Sequence, residues 1–62
     1  MKEKIRNILG RMSPKYREIL TLKYLEQVPV EEIARKLSIT FKSAESRLFR
    51  ARKDFVEAFL SI

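Results

Sequence analysis

Cysteine and histidine are missing from this chain altogether. Their absence excludes disulfide staples, the usual zinc sites, and catalysis by a thiol or an imidazole. Glycine occurs once and proline twice, and no stretch alternates apolar and polar residues in the manner of a strand. An all-α fold follows. No run approaches the roughly 18 apolar residues that a membrane span requires, and the N-terminus carries no signal-peptide pattern. Acid is scarce as well: 8 Asp and Glu stand against 14 Lys and Arg, a formal charge of +6 with a pI near 10.1. Such a balance attracts anionic partners at long range, nucleic acid or an acidic lipid surface. At 62 residues the chain makes one small domain near the lower limit of independent folding, held by helix packing alone.

What is present is amphipathic helix. Residues 2–11 carry Ile5, Ile8 and Leu9 on one side, with Met12 just beyond, and Gly10 marks the end. A second helix, 14–27, opens with Ser13 as N-cap and Pro14 at the first helical position, where a missing N–H is harmless. It offers Tyr16, Ile19, Leu20, Leu22, Tyr24 and Leu25 over a wide arc, the pattern of a central helix. Pro29 breaks the chain again and opens a third helix, 30–37, with Glu31 and Glu32 in its first turn. The helix dipole favours carboxylates there, which accounts for the pair without acid–base chemistry or a metal.

The stretch 30–52 organises the rest. Ile33, Ala34 and Leu37 form the inner side of the third helix, and Ser38-Ile39-Thr40 interrupts it. Thr40 can cap a fourth helix, 41–60, through its hydroxyl. Ser38 implies either mild strain or a turn that needs no left-handed residue. In the fourth helix Ala44, Leu48, Ala51 and Phe55 recur at i, i+4, i+7 and i+11, a continuous apolar stripe. Two helices joined by so short a turn form a helix-turn-helix, whose second helix can enter a DNA major groove.

With that stripe turned inward, Lys42, Glu45, Ser46, Phe49, Arg50 and Lys53 point away, flanked by Ser43, Arg47 and Arg52. The segment 41–53 holds five basic residues and a single acid, Glu45. A phenylalanine among arginines and serines suits a surface that meets phosphates, base edges and a thymine methyl. Arg50 is the first candidate for direct base reading, with Ser46, Glu45 and Phe49 beside it; Lys42, Ser43, Arg47 and Lys53 are candidates for phosphate. Arg52 is open between a phosphate contact and an ion pair with Glu31 or Glu32. The end of the chain, with Phe55, Val56, Phe59, Leu60 and Ile62, is strongly apolar. Part of it must fold back on the first two helices, and any surplus is a candidate protein interface. No catalytic residue, metal site or cofactor is expected.

From about Ile5 to Phe59 the chain resembles region 4, the C-terminal DNA-binding domain of bacterial RNA polymerase sigma factors, particularly the extracytoplasmic-function branch. Ser13-Pro14 through Arg17-Glu18-Ile19-Leu20 is similar to that family's opening LP-x-x-x-R-E-V-L. Val30-Glu31-Glu32-Ile33-Ala34 resembles its Y-x-E-I-A helix, and Ser46-Arg47-Leu48-Phe49-Arg50-Ala51-Arg52 its S-R-L-x-R-A-R recognition helix. Three positions depart from the pattern. Ser38 replaces the usual glycine, Ser13 replaces leucine, and Glu45 stands where many members have Lys or Arg. A glutamate cannot hold a phosphate but can accept from a cytosine amino group, which shifts sequence preference.

The resemblance implies a four-helix domain spanning 1–62 with a C-terminal helix-turn-helix and no wing. It implies docking on the −35 promoter element, as double-stranded DNA, while the flap of the RNA polymerase beta subunit holds the domain. An anti-sigma factor is a further candidate partner; a membrane is not. The implied setting is the bacterial cytoplasm, at the nucleoid. Region 2, which melts the −10 element, is not in this sequence, so the expectation is an excised domain or a truncated relative. Two other readings compete: the helix-turn-helix output domain of another transcription regulator, and a protein-interaction module that binds polymerase or an anti-sigma factor and whose basic face is incidental.

Overall fold

Two hydroxyl caps and two left-handed residues divide the chain into its helices. The computed structural model describes residues 2–61, so Met1 and Ile62 lie outside it. Helix α1 covers Lys2–Arg11 and α2 covers Pro14–Leu20, running without a break into a π-helical turn at Thr21–Leu25. Helix α3 covers Val30–Leu37 and α4 Phe41–Ser61. Among the described residues there is no strand, and no helix is long and apolar enough to cross a membrane.

The boundaries follow from local chemistry. Ser13 Oγ accepts from the Tyr16 N–H at 3.4 Å, and Pro14 occupies the first turn of α2 as expected. Thr40 Oγ1 accepts from the Ser43 N–H at 3.0 Å and donates to Ser43 Oγ at 2.9 Å, closing the first turn of α4. Between α3 and α4, Ser38 sits at φ 57°, ψ 43°, which is left-handed. Its N–H reaches the Arg35 carbonyl at 3.2 Å and the Ile39 N–H reaches the Ala34 carbonyl at 2.9 Å. That pair of bonds is the Schellman arrangement, which demands the left-handed residue whether or not it is glycine. Of the two alternatives for Ser38, strain is the one the turn contains.

The second helix departs from expectation. The sequence predicts one helix over 14–27, but α-geometry stops at Leu20 and the helix ends at Leu25. The Glu26 N–H bonds to the Thr21 carbonyl, five residues back, at 3.0 Å, and the Val28 N–H bonds to the Leu22 carbonyl at 2.9 Å. Gln27 lies at φ 55°, in the left-handed region, outside the helix and two residues before Pro29. The wide turn carries one more residue than an α-turn, which shifts the angular register of the side chains within it: Leu22 still packs against the core. Tyr24 and Leu25, which the apolar pattern places in the central arc, are exposed instead. Helix α1 ends at Arg11, one residue past Gly10.

The core gathers one stripe from each helix: Ile8 and Met12, Ile19 and Leu20, Ile33, and Leu48 with Ala51. Ile8, Ile19 and Ile33 are fully buried, each contributing about 1.5–3 kcal/mol by area. Ala34 and Ala44 are buried too, and their small side chains leave room for α3 to lie close to α4. Helix α4 contacts α1, α2 and α3, so it is the spine of the domain. Its 21 residues, at about 1.5 Å each, make a helix nearly as long as the 33 Å of the molecule's longest dimension. The C-terminal half folds back on α1 as anticipated. Phe55 and Phe59 stack with centroids 6.2 Å apart, and Lys4 Nζ lies 4.1 Å over the Phe59 ring.

Candidate nucleic-acid interface

Leu48 and Phe49 are neighbours on α4 with opposite fates: Leu48 is 2% exposed, whereas Phe49 is 63% exposed. The inward set Ala44, Leu48 and Ala51 is buried, and Phe55 packs against the same core. With the helix pinned on that side, Lys42, Ser43, Glu45, Ser46, Phe49, Arg50 and Lys53 all face solvent, and Arg47 is half-buried at the flank. One uninterrupted helix carries all eight of these candidate residues.

Five of the eight meet around a single feature. Lys42, Ser43, Ser46, Arg47 and Arg50, joined by Thr40 at the cap, form one wall of an open cleft of about 550 Å³. The opposite wall is Lys15 and Tyr16, from the first turn of α2. Four cationic side chains and three aliphatic hydroxyls line it, and no carboxylate does. Glu45, Phe49 and Lys53 project from α4 beyond the lining, on the side facing away from the core.

The sequence points to Tyr16 only as part of the apolar arc of α2, and to Lys15 not at all. Nothing in the local pattern marks either as a cleft residue, because the cleft exists only once α2 packs across the start of α4. Arg52 also differs from expectation. Its Nη1 donates to the Tyr24 hydroxyl at 3.0 Å, so neither Glu31 nor Glu32 is the group that holds it. Tyr24 stands in the π turn, on an element that packs beside α4.

A second concavity lies elsewhere on the molecule. Ile5 and Leu9 of α1, Tyr24 and Leu25 of the π turn, and Phe55 and Val56 of α4 line an apolar groove of about 330 Å³, with Arg52 at its edge. Leu25 and Val56 are 65% and 51% exposed, and Leu60, near the end of α4, is 77% exposed. This is the apolar surplus that the composition of the chain end foretold. The domain thus has a basic, hydroxyl-rich cleft and a separate apolar groove, with lining residues that do not overlap.

No curated protein and no solved structure matches the chain. A family model does: the one described as sigma-70, region 4, matches residues 2–55, from the start of α1 to the middle of α4. The match includes both walls of the cleft, α3, the turn and the part of α4 that carries the candidate residues. Domains of this family bind DNA at the −35 element of promoters, work with RNA polymerase, and perform no chemical step. An extended basic cleft and a capped recognition helix on four packed helices meet those requirements, and the chain belongs to the sigma-70 region 4 family.

Proposed function

We propose that α4 enters the major groove of a −35 element and reads its sequence through Arg50, Ser46, Phe49 and Glu45. The observation that carries this reading is the opposition of Leu48 and Phe49, which fixes the rotation of the helix and leaves those four side chains outward. The major groove, about 12 Å wide, admits an α-helix. Arg50 bridges guanine O6 and N7, Glu45 accepts from a cytosine amino group, and Phe49 covers a thymine methyl. Lys42, Ser43, Arg47 and Lys53 hold phosphate oxygens and set the register of the helix on the duplex.

The apolar groove is assigned to the flap of the polymerase beta subunit, with an anti-sigma factor as a competitor for the same surface. Its lining shares no residue with the cleft, so DNA and polymerase can be held together. The motifs support the extracytoplasmic-function branch, and the setting is the bacterial cytoplasm, where promoters and polymerase meet at the nucleoid.

Two substitutions separate the roles. Arg50→Ala removes a contact worth roughly 1–3 kcal/mol of discrimination and flattens sequence preference. Lys53→Ala weakens all duplexes alike and lowers the salt dependence by about one unit of log K against log salt. Binding to a promoter fragment and to scrambled duplex, followed by fluorescence anisotropy, reads both. An unchanged preference in Arg50→Ala would refute the assignment of the reading face. An interaction module with an incidental basic face would show no preference in the parent chain either.

A further inference from the structure

The cleft has a wall that the helix-turn-helix does not supply. Lys15 and Tyr16 belong to α2, two elements before the recognition helix, yet they face Lys42, Arg47 and Arg50 across an open space of about 550 Å³. We infer that this cleft seats the sugar-phosphate backbone of one DNA strand, with Lys15 and the Tyr16 hydroxyl as phosphate ligands outside the helix-turn-helix. The inference deepens the DNA-binding reading above and rests on it.

Three features favour a nucleic-acid backbone as occupant. Lys15, Lys42, Arg47 and Arg50 all carry positive charge, and with no carboxylate in the lining the site holds donors for a polyanion without an internal competitor. The hydroxyls of Thr40, Ser43 and Ser46 add neutral donors of the kind that commonly bind phosphate and sugar oxygens. The cleft is open and continuous with the reading face, because Ser46 and Arg50 belong to both. A helix lying in the major groove has a phosphate strand on each flank, and Arg47 marks the flank of α4 that turns toward α2. The strand on that side passes where Lys15 stands. Tyr16 is half-buried and packs against the core, so its ring is fixed while its edge lines the cleft.

The test is a salt titration of duplex binding by the 62-residue chain and three variants: Lys15→Ala, Tyr16→Phe, and Lys2→Ala as a charge control from α1 that does not line the cleft. Each phosphate contact contributes a slope of about 0.9 in log K against log salt, so one contact accounts for roughly a 3.5-fold change in affinity between about 50 and 200 mM salt. Lys15→Ala is expected to bind more weakly at low salt and to lose that roughly 3.5-fold part of the salt dependence, for promoter and scrambled duplex alike. Tyr16→Phe keeps the packing and the slope, because a hydroxyl displaces no counterion, and weakens both duplexes by the same factor. Lys2→Ala changes the slope by much less than Lys15→Ala.

Equal slopes for Lys15→Ala and the parent, or equal losses in Lys15→Ala and Lys2→Ala, would overturn the inference. Tyr16→Phe binding as tightly as the parent would remove the tyrosine from it. Arg50→Ala, run alongside, separates this failure from that of the reading face. If Arg50→Ala flattens preference while Lys15→Ala is silent, only the α2 wall falls. If no variant differs from the parent, or the parent binds no duplex even at low salt, both fall together.

Discussion

Replacing Ser38 with glycine is expected to stabilise the domain, and the size of the effect can be worked from the turn. Ser38 is held at φ 57°, ψ 43° by the two hydrogen bonds that end α3. The left-handed conformation costs an L-residue roughly 1–2 kcal/mol. Glycine removes that strain but adds roughly 0.5–1 kcal/mol of backbone entropy to the unfolded chain. Ser38 is exposed, and none of its side-chain atoms is engaged in the described hydrogen bonds, so no contact is lost. The difference leaves the variant ahead by about 0.5–1 kcal/mol, a rise in Tm of about 2–8 °C for a domain of this size. Ser38→Val is the counterpart, since a β-branched residue fits that region worst, and it should melt below the parent. Thermal unfolding followed by circular dichroism at one protein concentration measures all three. If Ser38→Gly melts at or below the parent while Ser38→Val is unaffected, the α3–α4 turn is not left-handed in solution, and the placement of α4 falls with it.

Thr40→Ala removes the cap of α4 and should lower stability by about 0.5–2 kcal/mol, whereas Thr40→Ser should restore most of it; denaturant midpoints at constant m-value distinguish the two. Leu25→Glu, at an exposed position on the apolar groove, should leave folding and DNA preference intact while abolishing capture of a purified polymerase beta-flap fragment. A loss of DNA preference in that variant would contradict the separation of the two surfaces.

Much of this was legible in the residues because helical periodicity is a strong local signal. The spacing of Ala44, Leu48, Ala51 and Phe55 placed α4 and its rotation, and Ser13-Pro14 and Thr40 located two helix starts within a residue. Three features were not legible, each for a physical reason. The π turn at Thr21–Leu25 is a choice between hydrogen bonds four and five residues back, to which the apolar pattern is blind. The partner of Arg52 is a hydroxyl on that turn, Tyr24 at 3.0 Å, 28 residues away in sequence and so outside any local pattern. The cleft wall at Lys15 and Tyr16 is a tertiary juxtaposition of α2 with α4, and no spacing within either helix encodes it.

The most direct measurement is amide chemical-shift mapping of the isotope-labelled chain as a promoter duplex is added. Perturbations should concentrate from Thr40 to Lys53 and at Lys15 and Tyr16, while Ile5, Leu9, Leu25 and Val56 stay still. Shifts centred on those four groove residues, with Ser46, Phe49 and Arg50 unmoved, would show that DNA meets a different face and that the outward side of α4 is not what reads it.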